Sequence, residues 1–73
     1  MKSVNVKIST VEDVKKFVAL VNKYEQDFNL VSGHYVIDAK SIMGVFSLNL
    51  SKVVELTSNQ DFDAEIFKDF IVK

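Results

Sequence analysis

Cysteine and proline are absent from this chain, and glycine occurs only twice. Without cysteine there is no disulfide framework, no thiolate metal site and no thiol nucleophile. With no proline and so little glycine, the chain is expected to be mostly regular structure joined by short connections. Charge of one sign is also lacking: the net charge is −1, the pI is about 5.7, and the lysines form no cluster. That removes the electrostatic footprint of a nucleic-acid or anionic-membrane binder. No apolar run approaches membrane-spanning length. The start, Met1-Lys2-Ser3-Val4-Asn5-Val6, has neither the apolar stretch nor the cleavage pattern of a signal peptide. A cytoplasmic location is the expectation.

What is present suits one small folded unit. The 73 residues are 48% hydrophobic and 26% charged, a balance of globular rather than disordered chains. A single domain over 1–73 is expected, near the lower size at which a chain buries a useful core without staples. Stability must then come from close packing of Val, Ile, Leu and Phe.

Val4, Val6 and Ile8 alternate with Asn5 and Lys7, the pattern of a half-buried strand. Ser9-Thr10-Val11-Glu12 reads as a capping box, with Ser9 as the cap and Glu12 three residues on. A helix from about Thr10 to Glu25 follows, with Val11, Val14, Phe17, Val18, Val21 and Tyr24 on one face. Phe28 and Leu30, then Tyr35, Ile37 and Ala39, make two alternating runs around Ser32-Gly33 and predict a hairpin. A second helix is expected from about Ser41 to Leu48, stopped by a left-handed Asn49. Val53 to Thr57 is β-branched and extended. Ser58-Asn59-Gln60-Asp61 is expected to open a third helix with Phe62, Ile66, Phe67, Phe70 and Ile71 as its apolar stripe. The order is βαββαβα, which suggests an α+β fold with helices covering one face of a single antiparallel sheet.

Ser41 directly precedes the short apolar helix Ile42-Met43-Gly44-Val45-Phe46-Ser47-Leu48. A serine there can accept a hydrogen bond from an unpaired first-turn N–H, and a cap of this kind is worth about 1 kcal/mol. The same position suits a phosphate, which the exposed N–H groups and the helix dipole favour. Ile42, Met43 and Phe46 are more apolar residues than so short a helix can bury on one side; core packing is the simpler account of Val45 and Leu48. His34 sits beside Gly33 in the hairpin with no arginine nearby, and reads as a solvated turn residue rather than a metal ligand. Asp27, Asp38, Asp61, Asp63, Glu65 and Asp69 read as solvated faces and helix-start charges. Ser9, Thr10, Glu12 and Asp13 make a cap, not a nucleophile with its base. The residues imply no metal, no cofactor and no active site of an enzyme.

The nine-residue run Lys40-Ser41-Ile42-Met43-Gly44-Val45-Phe46-Ser47-Leu48 closely resembles the regulatory-serine segment of the HPr family, the small phosphocarriers of the bacterial sugar phosphotransferase system. Lys23-Tyr24, Asn29-Leu30 and Gly33 extend the likeness upstream, and Lys52 and Glu55 continue it more weakly. The resemblance implies an HPr-like open-faced β-sandwich: a four-stranded antiparallel sheet with three helices on one face. It implies phosphorylation of Ser41 by an ATP-dependent HPr kinase. It also implies docking of partner proteins on Ile42, Met43 and Phe46, where a flexible methionine beside an aromatic suits an adaptable surface.

The family's carrier motif, glycine-histidine-alanine-arginine-proline, is not matched. Counting back from Tyr24 without gaps puts Thr10 at the histidine position, Glu12 at the arginine position and Asp13 at the proline position. Threonine has no nitrogen with which to form a phosphoramidate, and two carboxylates would repel an incoming phosphate. The chain is thus similar to catabolite-repression HPr-like proteins, which keep the serine without the histidine. The implied role is regulatory, with an HPr kinase and a carbon-catabolite regulator or other phosphotransferase-system proteins as partners. Two alternatives remain at this point: a phosphocarrier working through His34 or another residue, and a purely structural interaction domain.

Overall fold

A computed structural model describes residues 2–48 and 52–72. Its elements are β1 (Ser3–Val6), α1 (Val11–Val21), β2 (Phe28–Ser32), β3 (Tyr35–Asp38), α2 (Ile42–Phe46), β4 (Val54–Ser58) and a 3₁₀ helix (Ala64–Phe67). The strands form one four-stranded antiparallel sheet in the order β1-β4-β2-β3. Alternation puts Val6, Leu30, Val54 and Leu56 on the covered side, where they are buried with Val14, Phe17 and Val21 of α1 and Val45 of α2. Ser3, Asn5, Glu55 and Asp38 stand exposed. The expected α+β class and open-faced sheet are the ones observed.

The third helix is not an α-helix. The chain instead makes a short 3₁₀ turn over Ala64–Phe67, capped by Asp63, whose carboxylate accepts from the Glu65 N–H at 3.0 Å. Ser58, expected to open that helix, is the last residue of β4, and its hydroxyl donates to the Asp27 carbonyl at 2.8 Å. The reason lies downstream. Lys7 N–H donates to Phe70 O, Val72 N–H donates to Asn5 O, and Ile71 bridges Val6. Those strand-like bonds to the flank of β1 compete with helix continuation. The apolar stripe still does its packing job: Phe67 contacts Phe17, Phe28 and Phe62 with ring centroids 5.5–5.8 Å apart.

The first helix differs from expectation at both ends. Thr10, not Ser9, is the cap: its backbone is extended and its Oγ1 accepts from the Asp13 N–H at 3.0 Å. Ile8 is still buried in the core ahead of the helix, so the helical turn starts later. Val11, placed on the apolar face by periodicity, is 55% exposed in the first turn. The helix stops at Val21 rather than Glu25. Asn22 Nδ2 donates to Val18 O and to Lys40 O, and i−3 bonds from Lys23 and Tyr24 tighten the last turn. That early stop lets Tyr24 leave the helix and set its ring edge-on to Phe28.

The hairpin is as expected, with Gly33 at φ +59° and a two-residue Gly33-His34 turn between β2 and β3. Tyr35, however, is 70% exposed. It lines an open groove with Ile37 and with Ser47 and Leu48 at the end of the second helix. The second helix is shorter than expected, Ile42–Phe46, with Ser47 as its C-cap and Leu48 half-buried in the turn that follows. The Asn49 stop lies outside the described residues. Strand β4 starts at Val54, leaving Val53 exposed.

Candidate functional site

The segment leading into α2 is clamped before the helix begins. Asp38 accepts from the Lys40 N–H through Oδ1 at 2.9 Å, and its carbonyl accepts from the Ser41 N–H. Lys40 Nζ reaches back to the Tyr24 carbonyl at 2.6 Å, and the Lys40 carbonyl receives Asn22 Nδ2. Lys40 therefore ties α2 to the end of α1. Sequence reading singled it out only as part of a motif; its ammonium meets one of the carbonyls just past the helix, a role periodicity cannot reveal.

Ser41 is extended and exposed, and its Oγ accepts from the Gly44 N–H at 3.2 Å. It is the expected cap. No acidic residue occupies the first turn of α2. At the other end Ser47 Oγ donates to the Gly44 carbonyl. Gly44 itself marks a close approach: a Cβ built there would lie 2.7 Å from Cγ2 of Ile37 on β3. Only glycine lets this helix lie so near the sheet edge.

With Val45 buried and Gly44 against Ile37, α2 turns its other residues outward. Met43 is 76% exposed, and Ile42 and Phe46 are each 38% exposed. Phe46 lies four residues from Ile42 and three from Met43, so the three share one side next to Ser41. Thr10, expected from the ungapped count to stand where the resemblance puts a histidine, is the α1 cap, with Glu12 and Asp13 in the turn it caps. His34 is exposed in the hairpin turn. Thr10, His34 and Ser41 thus stand on three different parts of the fold, and the chain assembles no site from them. Of the grooves on the surface, one of about 420 Å³ on the flank of α1 mixes Lys16 and Lys23 with Asp13 and Asp69. It offers no single sign of charge to select a ligand.

Solved structures share this fold. The HPr protein described as HPr-C-His from Thermoanaerobacter tengcongensis superposes with a TM-score of 0.75, 29% identity, and coverage of 93% of this chain and 84% of its own. The fold of this chain is HPr-like. The phosphocarrier protein HPr from Bacillus anthracis superposes at 0.68 with 21% identity, covering 92% of this chain and 88% of its own. A mycoplasma histidine-containing phosphocarrier protein superposes at 0.70 with 10% identity, covering 90% and 83%. At those two lower identities the likeness is one of fold. No family model and no curated protein matches the sequence. The HPr-like fold here consists of two α-helices and a 3₁₀ turn over the four-stranded sheet, among the described residues. Among those residues, too, no helix is long and apolar enough to cross a membrane.

Proposed function

We propose that this HPr-like chain is a cytoplasmic regulatory adaptor with no catalysis of its own, docking protein partners through Ile42, Met43 and Phe46 and tuned by phosphorylation of Ser41. The observation that carries the reading is the exposure of that apolar triplet on one short helix, directly beside a solvent-facing serine. A phosphoryl group on Ser41 Oγ would bring nearly two negative charges to the edge of the triplet. It could accept from the Gly44 N–H that Oγ now engages. The first turn of α2 holds no acid to repel it, and the Asp38 carboxylate ahead of the helix is engaged by the Lys40 N–H. Because α2 spans only five residues, the support comes from exposed N–H groups and local charge more than from a long dipole.

At the start of α1, by contrast, Glu12 and Asp13 disfavour an incoming phosphate, so Thr10 marks the place of a carrier histidine this chain does without. The partners proposed are an HPr kinase and a carbon-catabolite regulator or another phosphotransferase-system protein. Nuclear magnetic resonance titration of the labelled chain with an HPr kinase tests the docking claim. Shifts centred on Ile42, Met43 and Phe46, abolished by Met43→Asp, are expected. Shifts centred elsewhere contradict it.

One observation favours a second reading. The solved neighbours named above are phosphocarriers, and His34 is the chain's single, exposed imidazole. Label passing from phosphoenolpyruvate through enzyme I to the chain, and lost in His34→Ala, would establish a carrier in place of an adaptor.

A further inference from the structure

The two edges of the sheet are treated differently. The β1 edge is closed by the C-terminal segment, through the Lys7–Phe70 and Val72–Asn5 backbone bonds and the Ile71 bridge. The β3 edge has no strand beyond it among the described residues. Of the devices with which proteins usually blunt an open edge, β3 carries one charge, Asp38 at its end, and no lysine or proline. Its four residues are Tyr-Val-Ile-Asp, with Tyr35 70% and Val36 65% exposed.

The direction of the free backbone groups follows from the register. Ser32 pairs with Tyr35 across the two-residue turn, Leu30 pairs with Ile37, and the Ala39 N–H donates to the Phe28 carbonyl. Tyr35, Ile37 and Ala39 therefore point their backbone groups at β2, and Val36 and Asp38 point theirs outward, the Asp38 carbonyl being already engaged by the Ser41 N–H. An incoming antiparallel strand must respect that parity. A second copy of β3 does so when Val36 meets Val36 of the other copy on a two-fold axis, the two residues exchanging N–H···O bonds.

In that register His34 falls opposite Asp38 of the other copy, twice by symmetry. The imidazole N–H can donate to the carboxylate oxygen that the Lys40 N–H does not use. Tyr35 falls opposite Ile37, extending apolar contact on the helix side. The neighbouring even registers lose the His34–Asp38 match.

We infer that the β3 edge is a self-association site, where two copies of this chain join their sheets antiparallel about Val36. This rests on the edge alone and stands or falls independently of the role of α2. The contact is short, below the roughly 1,200 Å² of a standard interface. The dimer is therefore weak and is to be sought at up to about 1 mM chain.

Sedimentation velocity and labelled-amide spectra across a concentration series on the full chain test it. Expected is a monomer–dimer equilibrium with shifts confined to residues 34–38. Val36→Pro removes an N–H that β2 does not use, so the hairpin ladder survives. It should weaken association about tenfold or more, because two backbone bonds go with it. Two charge variants test the register. His34→Asp sets like charges opposite each other and should weaken the dimer. Adding Asp38→Lys to it should restore association, because each carboxylate introduced in the turn then meets an introduced ammonium on the other copy. The amide spectrum of each variant at low concentration checks that its monomer is folded. A chain that stays monomeric throughout overturns the proposal. So does a dimer indifferent to Val36→Pro, which would use another surface, or a folded double charge variant no better than His34→Asp alone.

Discussion

Both α-helices of this chain begin with the same device, and the difference between them lies in the turn that follows. Thr10 Oγ1 accepts from the Asp13 N–H, and Ser41 Oγ accepts from the Gly44 N–H. The first turn of α1 then holds Glu12 and Asp13, whereas that of α2 holds no acid. Carboxylates already supply the negative charge that the start of α1 favours. The start of α2 has that preference unfilled, beside exposed apolar side chains. The bodies of the helices diverge in the same sense. Helix α1 buries Val14, Phe17, Val18 and Val21, while α2 buries Val45 alone. One helix supports the fold; the other presents a surface.

The largest effect should separate the helix bodies. Phe17→Ala removes a ring packed on Phe67 and Phe70 and should cost about 3–5 kcal/mol in urea unfolding. Met43→Ala should fall within about 0.5 kcal/mol of the parent. A large loss from Met43→Ala would make α2 a core element and break the comparison. Next comes Gly44→Ala. The new methyl meets the stiff, β-branched Ile37, an overpacking cost of about 1–3 kcal/mol that exceeds the helix-propensity gain of about 1 kcal/mol. A net stabilisation would show that α2 can lift from β3 freely.

The caps themselves should be nearly equal. Thr10→Ala and Ser41→Ala are each expected to lose about 1 kcal/mol by thermal or urea unfolding, since both bonds are exposed. If only Thr10→Ala destabilises, Ser41 is not a working cap. Smallest is Glu12→Gln, expected to lose about 0.3–1 kcal/mol at low salt and less as salt rises. A salt-independent change would mean that Glu12 does not act through the helix end.

Much of this was legible in the residues because it depends on local pattern. Val4-Val6, the Val14-Phe17-Val18-Val21 spacing, the Gly33 turn and the Ser41 cap each follow from neighbours a few positions away. The exposure of Ile42, Met43 and Phe46 was also foreseeable, because so short a helix has room to bury one side only. What was hidden depends on distant partners. The last helix gave way to a 3₁₀ turn because Asn5 and Lys7, near the other end of the chain, take up the backbone of Val72 and Phe70. Helix α1 ended early because Lys40 and Asn22 clamp its last turn. The cap shifted from Ser9 to Thr10 because Ile8 is held in the core ahead of the helix, and both hydroxyls satisfied the same local rule. Lys40 looked like part of a recognition motif, yet its ammonium is occupied by the Tyr24 carbonyl.

The contrast between the two helix starts comes down to whether Ser41 accepts a phosphoryl group. Intact-mass analysis of the folded chain after incubation with ATP and an HPr kinase, with Ser41→Ala alongside, tests this directly. The account predicts the mass of one added phosphoryl group in the parent and none in the variant. An unchanged mass, or the same addition in Ser41→Ala, would contradict it and leave Ser41 as a helix cap only.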